Sequence, residues 1–124
     1  MVSFAKAELT AAGAEVAADI SIAGSYEVPL VLDAVLQDSQ VDGAVVLGYI
    51  DKGETLHGEV MGQVVFRTIL DLELKYQKPV GMGIIGPGAT PEQAEARKET
   101  AARGAVKAVL RSLATLTELS AAQN

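Results

Sequence analysis

Val41-Asp42-Gly43-Ala44-Val45-Val46-Leu47-Gly48-Tyr49-Ile50 decides the fold class. Its centre, Ala44 to Leu47, is apolar at four consecutive positions, so a strand here sends aliphatic side chains to both faces of a sheet, as a central parallel strand must. Helices on both faces are needed to bury it. The flanking residues supply them. Upstream, Pro29 suits the first turn of a helix, where its missing N–H costs nothing, and Leu30, Val31, Ala34 and Val35 are the predicted buried stripe of a helix ending near Ser39. Downstream, a loop containing Lys52 and Gly53 leads into a long helix predicted from Leu56 to Tyr76, with Val60, Val64, Ile69, Leu72 and Tyr76 available to its apolar side.

Working outward, Lys78-Pro79 ends that helix and Val80 to Ile85 reads as a short, glycine-rich strand. Gly86-Pro87-Gly88-Ala89-Thr90 is a turn, and Thr90-Pro91-Glu92-Gln93 reads as an N-cap, a proline at the first helical position and an acidic first turn. The last helix is predicted to reach about Leu119 with an interruption near Gly104, leaving residues 119–124 as a frayed, flexible tail. Toward the other end, Val2 to Ala12 has helical spacing and stops at Gly13, where a left-handed cap is cheapest. Glu15 to Ile22 alternates Val16, Ala18, Ile20 and Ile22 with other residues, which predicts a strand before the turn Ala23-Gly24-Ser25. Helix and strand alternate throughout, so the chain is expected to be one α/β layered domain with a mostly parallel sheet.

Composition agrees with one aliphatic domain. The chain has 124 residues, 49% of them hydrophobic and 21% charged, with two Phe, three Tyr and no Trp. That length buries about two-thirds of the unfolded surface, enough for a core without staples. No apolar run reaches the ~18 residues of a membrane span, and Met1-Val2-Ser3-Phe4-Ala5-Lys6 lacks a signal-peptide layout, so a soluble, cytoplasmic protein is expected. The absence of cysteine removes disulfides and thiolate nucleophiles, and a single histidine cannot build a structural zinc site. A formal charge of -6 opposes a nucleic-acid surface, while leaving room for a few basic groups to hold a small anion.

In open α/β sheets ligands bind beyond the carboxyl ends of strands, which directs attention to the loops after Ile22, Ile50 and Ile85. The loop after Ile50 carries His57 just inside a helix start, where N–H groups and the dipole favour an anion. Gly53 permits close backbone approach, Thr55 offers a hydroxyl, and an imidazole moves a proton near neutral pH. The same residues also describe a solvated helix terminus with no chemistry. Glu27 either accepts hydrogen bonds from a polyol or complements the next helix's dipole. Arg97, Lys98 and Arg103 on the last helix are a phosphate site or a solvated face. Lys52 has the functional group for a Schiff base, but nothing in the sequence predicts the apolar surroundings that would activate it. Gly86-Pro87-Gly88 is a phosphate cradle or a turn. Neither a Walker nor a dinucleotide fingerprint occurs.

These segments together resemble the lumazine synthase family, particularly its short archaeal-type members. Gly24-Ser25-Tyr26-Glu27-Val28-Pro29 is similar to the family's Gly-x-aromatic-Glu-aliphatic-Pro segment. Val41 to Gly48 followed by Lys52-Gly53-Glu54-Thr55-Leu56-His57 is similar to its Leu-Gly strand and Gly-x-Thr-x-His loop. Gly83 to Gly88 and Gln93-Ala94-Glu95-Ala96-Arg97 resemble further archaeal-type segments, and the likeness runs over about residues 1–112. It implies a three-layer α/β/α sandwich with flavodoxin-type winding. It also implies condensation of 5-amino-6-(D-ribitylamino)uracil with 3,4-dihydroxy-2-butanone 4-phosphate, without metal or organic cofactor.

By position, the resemblance makes His57 the proton-transfer residue, with Gly53, Glu54, Thr55 and Arg97, and also Arg103, holding phosphate. Ser25, Tyr26 and Glu27 would line the pyrimidine and ribityl site, and Tyr49, Ile50 and Asp51 its other wall. Met82 falls where many members place an aromatic residue from a neighbouring subunit. A homopentamer with sites between subunits is implied, and in some members an icosahedral shell. Two departures stand out. Family members begin with a strand that lies between the second and third strands, and Met1 aligns inside the helix after it, so this first strand is expected to be missing. Asp51 occupies a position that is usually aliphatic. Both departures motivate an alternative expectation, a non-catalytic shell-forming or flavin-binding homologue.

Overall fold

In the computed structural model, which describes residues 1–51, 53 and 55–123, the stretch around Val45 is a strand, β1 (Ala44–Tyr49). It pairs in parallel with β2 (Val80–Ile85), in register from Ala44 opposite Val80 to Tyr49 opposite Ile85. Among the described residues the sheet has these two strands only. A parallel pair needs a long crossover, and α3 (His57–Tyr76) provides it. The remaining helices are α1 (Val2–Ala11), α2 (Val28–Gln37) and α4 (Pro91–Gln123), with a 3-10 turn at Ser25–Glu27.

Alternation along the strands sorts the core into two faces. Val28, Leu32 and Leu36 of α2 and Val65 and Ile69 of α3 bury Val80, with Ala44, Val46 and Ile84 against them. On the opposite face Ala5 of α1 and Ala102 and Val106 of α4 cover Val45 and Leu47. The architecture is therefore α/β/α, as expected.

The ends of these elements are closed locally. Gly13, at φ +76°, lets α1 finish in a Schellman arrangement, in which Gly13 N–H donates to Thr10 O (3.1 Å) and Ala14 N–H to Leu9 O (3.0 Å). Thr90 and Gln93 cap α4 reciprocally: Gln93 N–H donates to Thr90 Oγ1 (3.2 Å) and Thr90 N–H to Gln93 Oε1 (2.9 Å). Lys78 Nζ reaches the carbonyls of Leu36 (2.7 Å) and Asp38 (3.0 Å), tying the end of α2 to the entry of β2. The Glu73 carboxylate accepts the Val80 N–H at 2.9 Å.

Several expectations are corrected. Glu15–Ile22 is not a strand: among the described residues no backbone hydrogen bond joins residues 15–23 to the sheet, and Val16, Ile20 and Ile22 are exposed. Alternation specifies which side chains would share a face, but a strand also needs a partner for its N–H and C=O groups. The buried stripe of α2 is Val28, Leu32 and Leu36 rather than Leu30, Val31, Ala34 and Val35, and Leu30 is 79% exposed. A helix apolar almost all round does not reveal its buried face by periodicity. In α3, Val60 and Val64 are likewise exposed; Ile69 is buried as expected, joined by Gly58, Gly62 and Val65. Helix α4 runs through Gly104 without interruption and continues to Gln123, past the expected end at Leu119.

Candidate functional site

The parallel register brings the carboxyl ends of β1 and β2 level, so the loops that follow them emerge side by side. Ile50 N–H donates to Ile85 O at 2.8 Å, extending the pairing one step beyond the strands. Gly86 then turns at φ +90° directly against Ile50, where a Cβ would lie 2.3 Å from the Ile50 carbonyl oxygen. Only glycine fits that combination of left-handed backbone and close approach.

His57 opens α3, and Thr55 Oγ1 accepts its N–H at 3.2 Å. One helix-start donor is thereby satisfied by a hydroxyl, as at a capped N-terminus. The 3-10 turn at Ser25–Glu27 sits against this end of α3: the Tyr26 and His57 rings meet edge to face, with centroids 6.1 Å apart and planes at 71°. Both side chains are exposed, Tyr26 at 48%. Glu27 folds back over its own turn, since a Cβ on Gly24 would be 3.0 Å from Glu27 Oε2. Two separate predicted segments thus converge on one open surface, which presents an aromatic ring, an imidazole, a hydroxyl and a carboxylate.

The other assigned residues are distributed as follows. Ile50 is buried beside Gly62 of α3. Tyr49 and Asp51 are exposed and bonded to each other: Tyr49 Oη donates to Ala89 O at 2.9 Å and to Asp51 Oδ1 at 3.2 Å. Gly53 N–H donates to the same Asp51 oxygen at 3.4 Å. Loss of water around the phenol, then the Asp51 carboxylate that accepts its proton, push the Tyr49 hydroxyl above the usual tyrosine range. Met82 lies in β2 and is 36% exposed. Arg97 is exposed on α4. Arg103 is committed elsewhere: it pairs with Glu99 (2.9 Å) and Glu8 (3.2 Å) and lies over the Phe4 ring, in the seam between α1 and α4. Glu54, assigned to phosphate, and Lys52 lie outside the described residues.

The bond between Tyr49 and Ala89 was not anticipated from sequence. A signal existed, because two polar residues two positions apart at the end of an apolar strand face the same way. Its partner, a backbone carbonyl 40 residues away, carries no sequence signal.

A sequence profile of 6,7-dimethyl-8-ribityllumazine synthase matches residues 1–117. The chain belongs to the 6,7-dimethyl-8-ribityllumazine synthase family. Relatives bearing that name include proteins from Staphylothermus marinus, 45% identical over 97 residues, and Metallosphaera sedula, 44% identical over 98 residues. These alignments cover 78% and 79% of the chain and 65% of each relative. A third, from Methanococcus maripaludis, is 41% identical over 102 residues, covering 80% of the chain and 74% of the relative. The chain thus spans about two-thirds of the length of lumazine synthases to which it is similar. Within this family context the two-faced parallel sheet is the expected α/β core. Among the described residues no helix is long and apolar enough to cross a membrane.

Proposed function

We propose that the chain acts in riboflavin biosynthesis, condensing 5-amino-6-(D-ribitylamino)uracil with 3,4-dihydroxy-2-butanone 4-phosphate to 6,7-dimethyl-8-ribityllumazine with loss of phosphate and water. The observation that carries this reading is the meeting of Tyr26 and His57, which joins the proposed pyrimidine-binding turn to the proposed phosphate loop in a chain of this family. In this reading His57 transfers the proton, and Gly53, Glu54, Thr55 and Arg97 hold the phosphate. Ser25, Tyr26, Glu27, Tyr49, Ile50, Asp51 and Met82 line the organic substrates. Arg103 would join the phosphate group while its Nη1 and Nε pair with Glu8 and Glu99. Such a reaction is driven mainly by orienting two substrates and moving protons, which suits a site without a strong nucleophile.

The site is an open surface, which supports its completion by a second copy of the chain. We accordingly propose a homo-oligomer, a pentamer or a shell built from pentamers, working in the cytoplasm. Mixing the two substrates with the protein and following lumazine fluorescence tests the reaction, and absence of product from folded protein overturns it. His57→Ala is expected to slow turnover by about a hundredfold with the melting temperature nearly unchanged. An unaltered rate would remove His57 from its role. Asp51 favours a second reading, a flavin-binding or shell-forming homologue, because a carboxylate on the proposed pyrimidine wall changes what that wall accepts. Flavin titration and native mass spectrometry separate the two, since a binder sequesters flavin without turnover.

A further inference from the structure

We propose that Tyr49 is a positioning residue whose hydroxyl, shared between Ala89 and Asp51, clasps the loop after β1 onto the start of α4 and so holds Gly53, Thr55 and His57 in place. The activity part of this inference rests on the proposed condensation; the clasp itself rests on geometry.

One end of the clasp is fixed. Ala89 is 4% exposed and packs with Ile85 and Ala94, and the next residue, Thr90, forms the reciprocal cap of α4. The other end is the loop. Asp51 Oδ1 takes part of the Tyr49 proton at 3.2 Å and the Gly53 N–H at 3.4 Å, so the carboxylate passes the constraint two residues onward toward Thr55 and His57. A phenol has one proton and here faces two acceptors, with the Ala89 carbonyl nearer at 2.9 Å. The carbonyl therefore anchors the ring and Asp51 follows it. Among the described residues this is the one side-chain hydrogen bond joining residues 49–56 to residues 86–90. The nearby backbone bond from Ile50 to Ile85 fixes where the loop departs but not where it goes. A tyrosine hydroxyl keeps its proton at neutral pH in any case, and loss of solvent with the charges of Asp51 and Glu92 pushes that of Tyr49 further up, so it remains a donor.

Three variants and two readouts test the clasp. Tyr49→Phe and Asp51→Ala are each expected to lower kcat about tenfold at an unchanged melting temperature and with KM within about twofold, the effect of a slightly misplaced reacting group; a loss carried by KM would mark a substrate contact and overturn the clasp. Asp51→Asn keeps an acceptor oxygen and is expected to retain about fivefold more kcat than Asp51→Ala. Equal loss in the Asn and Ala variants would assign the effect to the charge of Asp51 and overturn the clasp. So would an activity loss that follows melting temperature, which would make Tyr49 merely structural. The second readout is ultraviolet titration of the tyrosines. The upward-shifted tyrosine should vanish in Tyr49→Phe and move down in Asp51→Ala, and an unmoved titration in Asp51→Ala overturns the proposal whatever the turnover. Should the parent chain make no lumazine while this titration responds as stated, the condensation reading fails and the clasp stands.

Discussion

The two faces of the β1–β2 sheet are packed by opposite means. On the α2 and α3 face, branched side chains fill the space: Leu32, Leu36, Val65 and Ile69 are buried against Val80. On the α4 face, β2 presents glycines and the helix comes down almost onto the strand. A Cβ on Gly81 would lie 2.2 Å from the Ala105 carbonyl oxygen, and one on Gly83 would lie 3.3 Å from the Ala101 carbonyl oxygen. Side chains can change rotamer to absorb a misfit, whereas a helix backbone can only move as a body. The α4 face is thus the rigid reference of the molecule, and α4 begins at the Thr90 cap next to Ala89. The more adaptable face carries α3 and, at its start, His57.

Three changes would sharpen or break this contrast. The largest expected effect is Ile69→Ala, which opens a cavity at a fully buried position and should cost about 4 kcal/mol in urea unfolding. Gly81→Ala adds one carbon where Ala105 leaves no room, and is expected to cost about 3 kcal/mol. Near-neutral stability of Gly81→Ala would mean that α4 slides freely, and the proposed difference between the faces would be wrong. The smallest effect concerns the α2–α3 contact at Asp33. Tyr76 Oη donates to Asp33 Oδ1 at 2.6 Å, and this bond, aided by Gln37 and Lys75, holds the Asp33 pKa below the usual aspartate value despite partial desolvation. A folded-state pKa that is depressed contributes stability above the unfolded value of about 3.9, and that contribution disappears as pH falls through the folded value. Tyr76→Phe should therefore be slightly less stable at neutral pH and show a shallower loss below about pH 4. Identical acid profiles for the parent and Tyr76→Phe would show that the bond has no such role.

The sequence foretold those parts of the molecule that local chemistry decides. Val80–Ile85 and the Thr90–Gln93 cap were read directly, because turn residues, proline and capping side chains act within a few positions. The strand at Ala44 and the helix ending at Tyr76 followed from apolar runs bounded by breakers. What was lost depends on distant partners. The alternation of Glu15–Ile22 was real, but nothing local says whether another strand lies alongside. The glycines of β2 were visible, yet their purpose, admitting the α4 backbone, requires knowing what faces them. Likewise Arg103 had the charge for a phosphate site, and only the fold shows Glu8 from α1 reaching it. In the candidate site, the motif identified His57, Thr55 and Tyr26 as residues of interest. Their proximity came from tertiary structure.

The parallel pairing has a further consequence, for folding kinetics. Each β1 residue lies opposite one 36 positions later, as Ala44 opposite Val80 and Tyr49 opposite Ile85 illustrate (80 minus 44 and 85 minus 49). No short hairpin can start such a sheet, so its first contact bears the entropy of closing the full crossover, while later contacts extend it with the ends already together. Formation of α3 within that crossover shortens the span to be closed. The sheet should then appear as one late, concerted step, with helical signal in α3 developing before protection of the β1 amides from exchange.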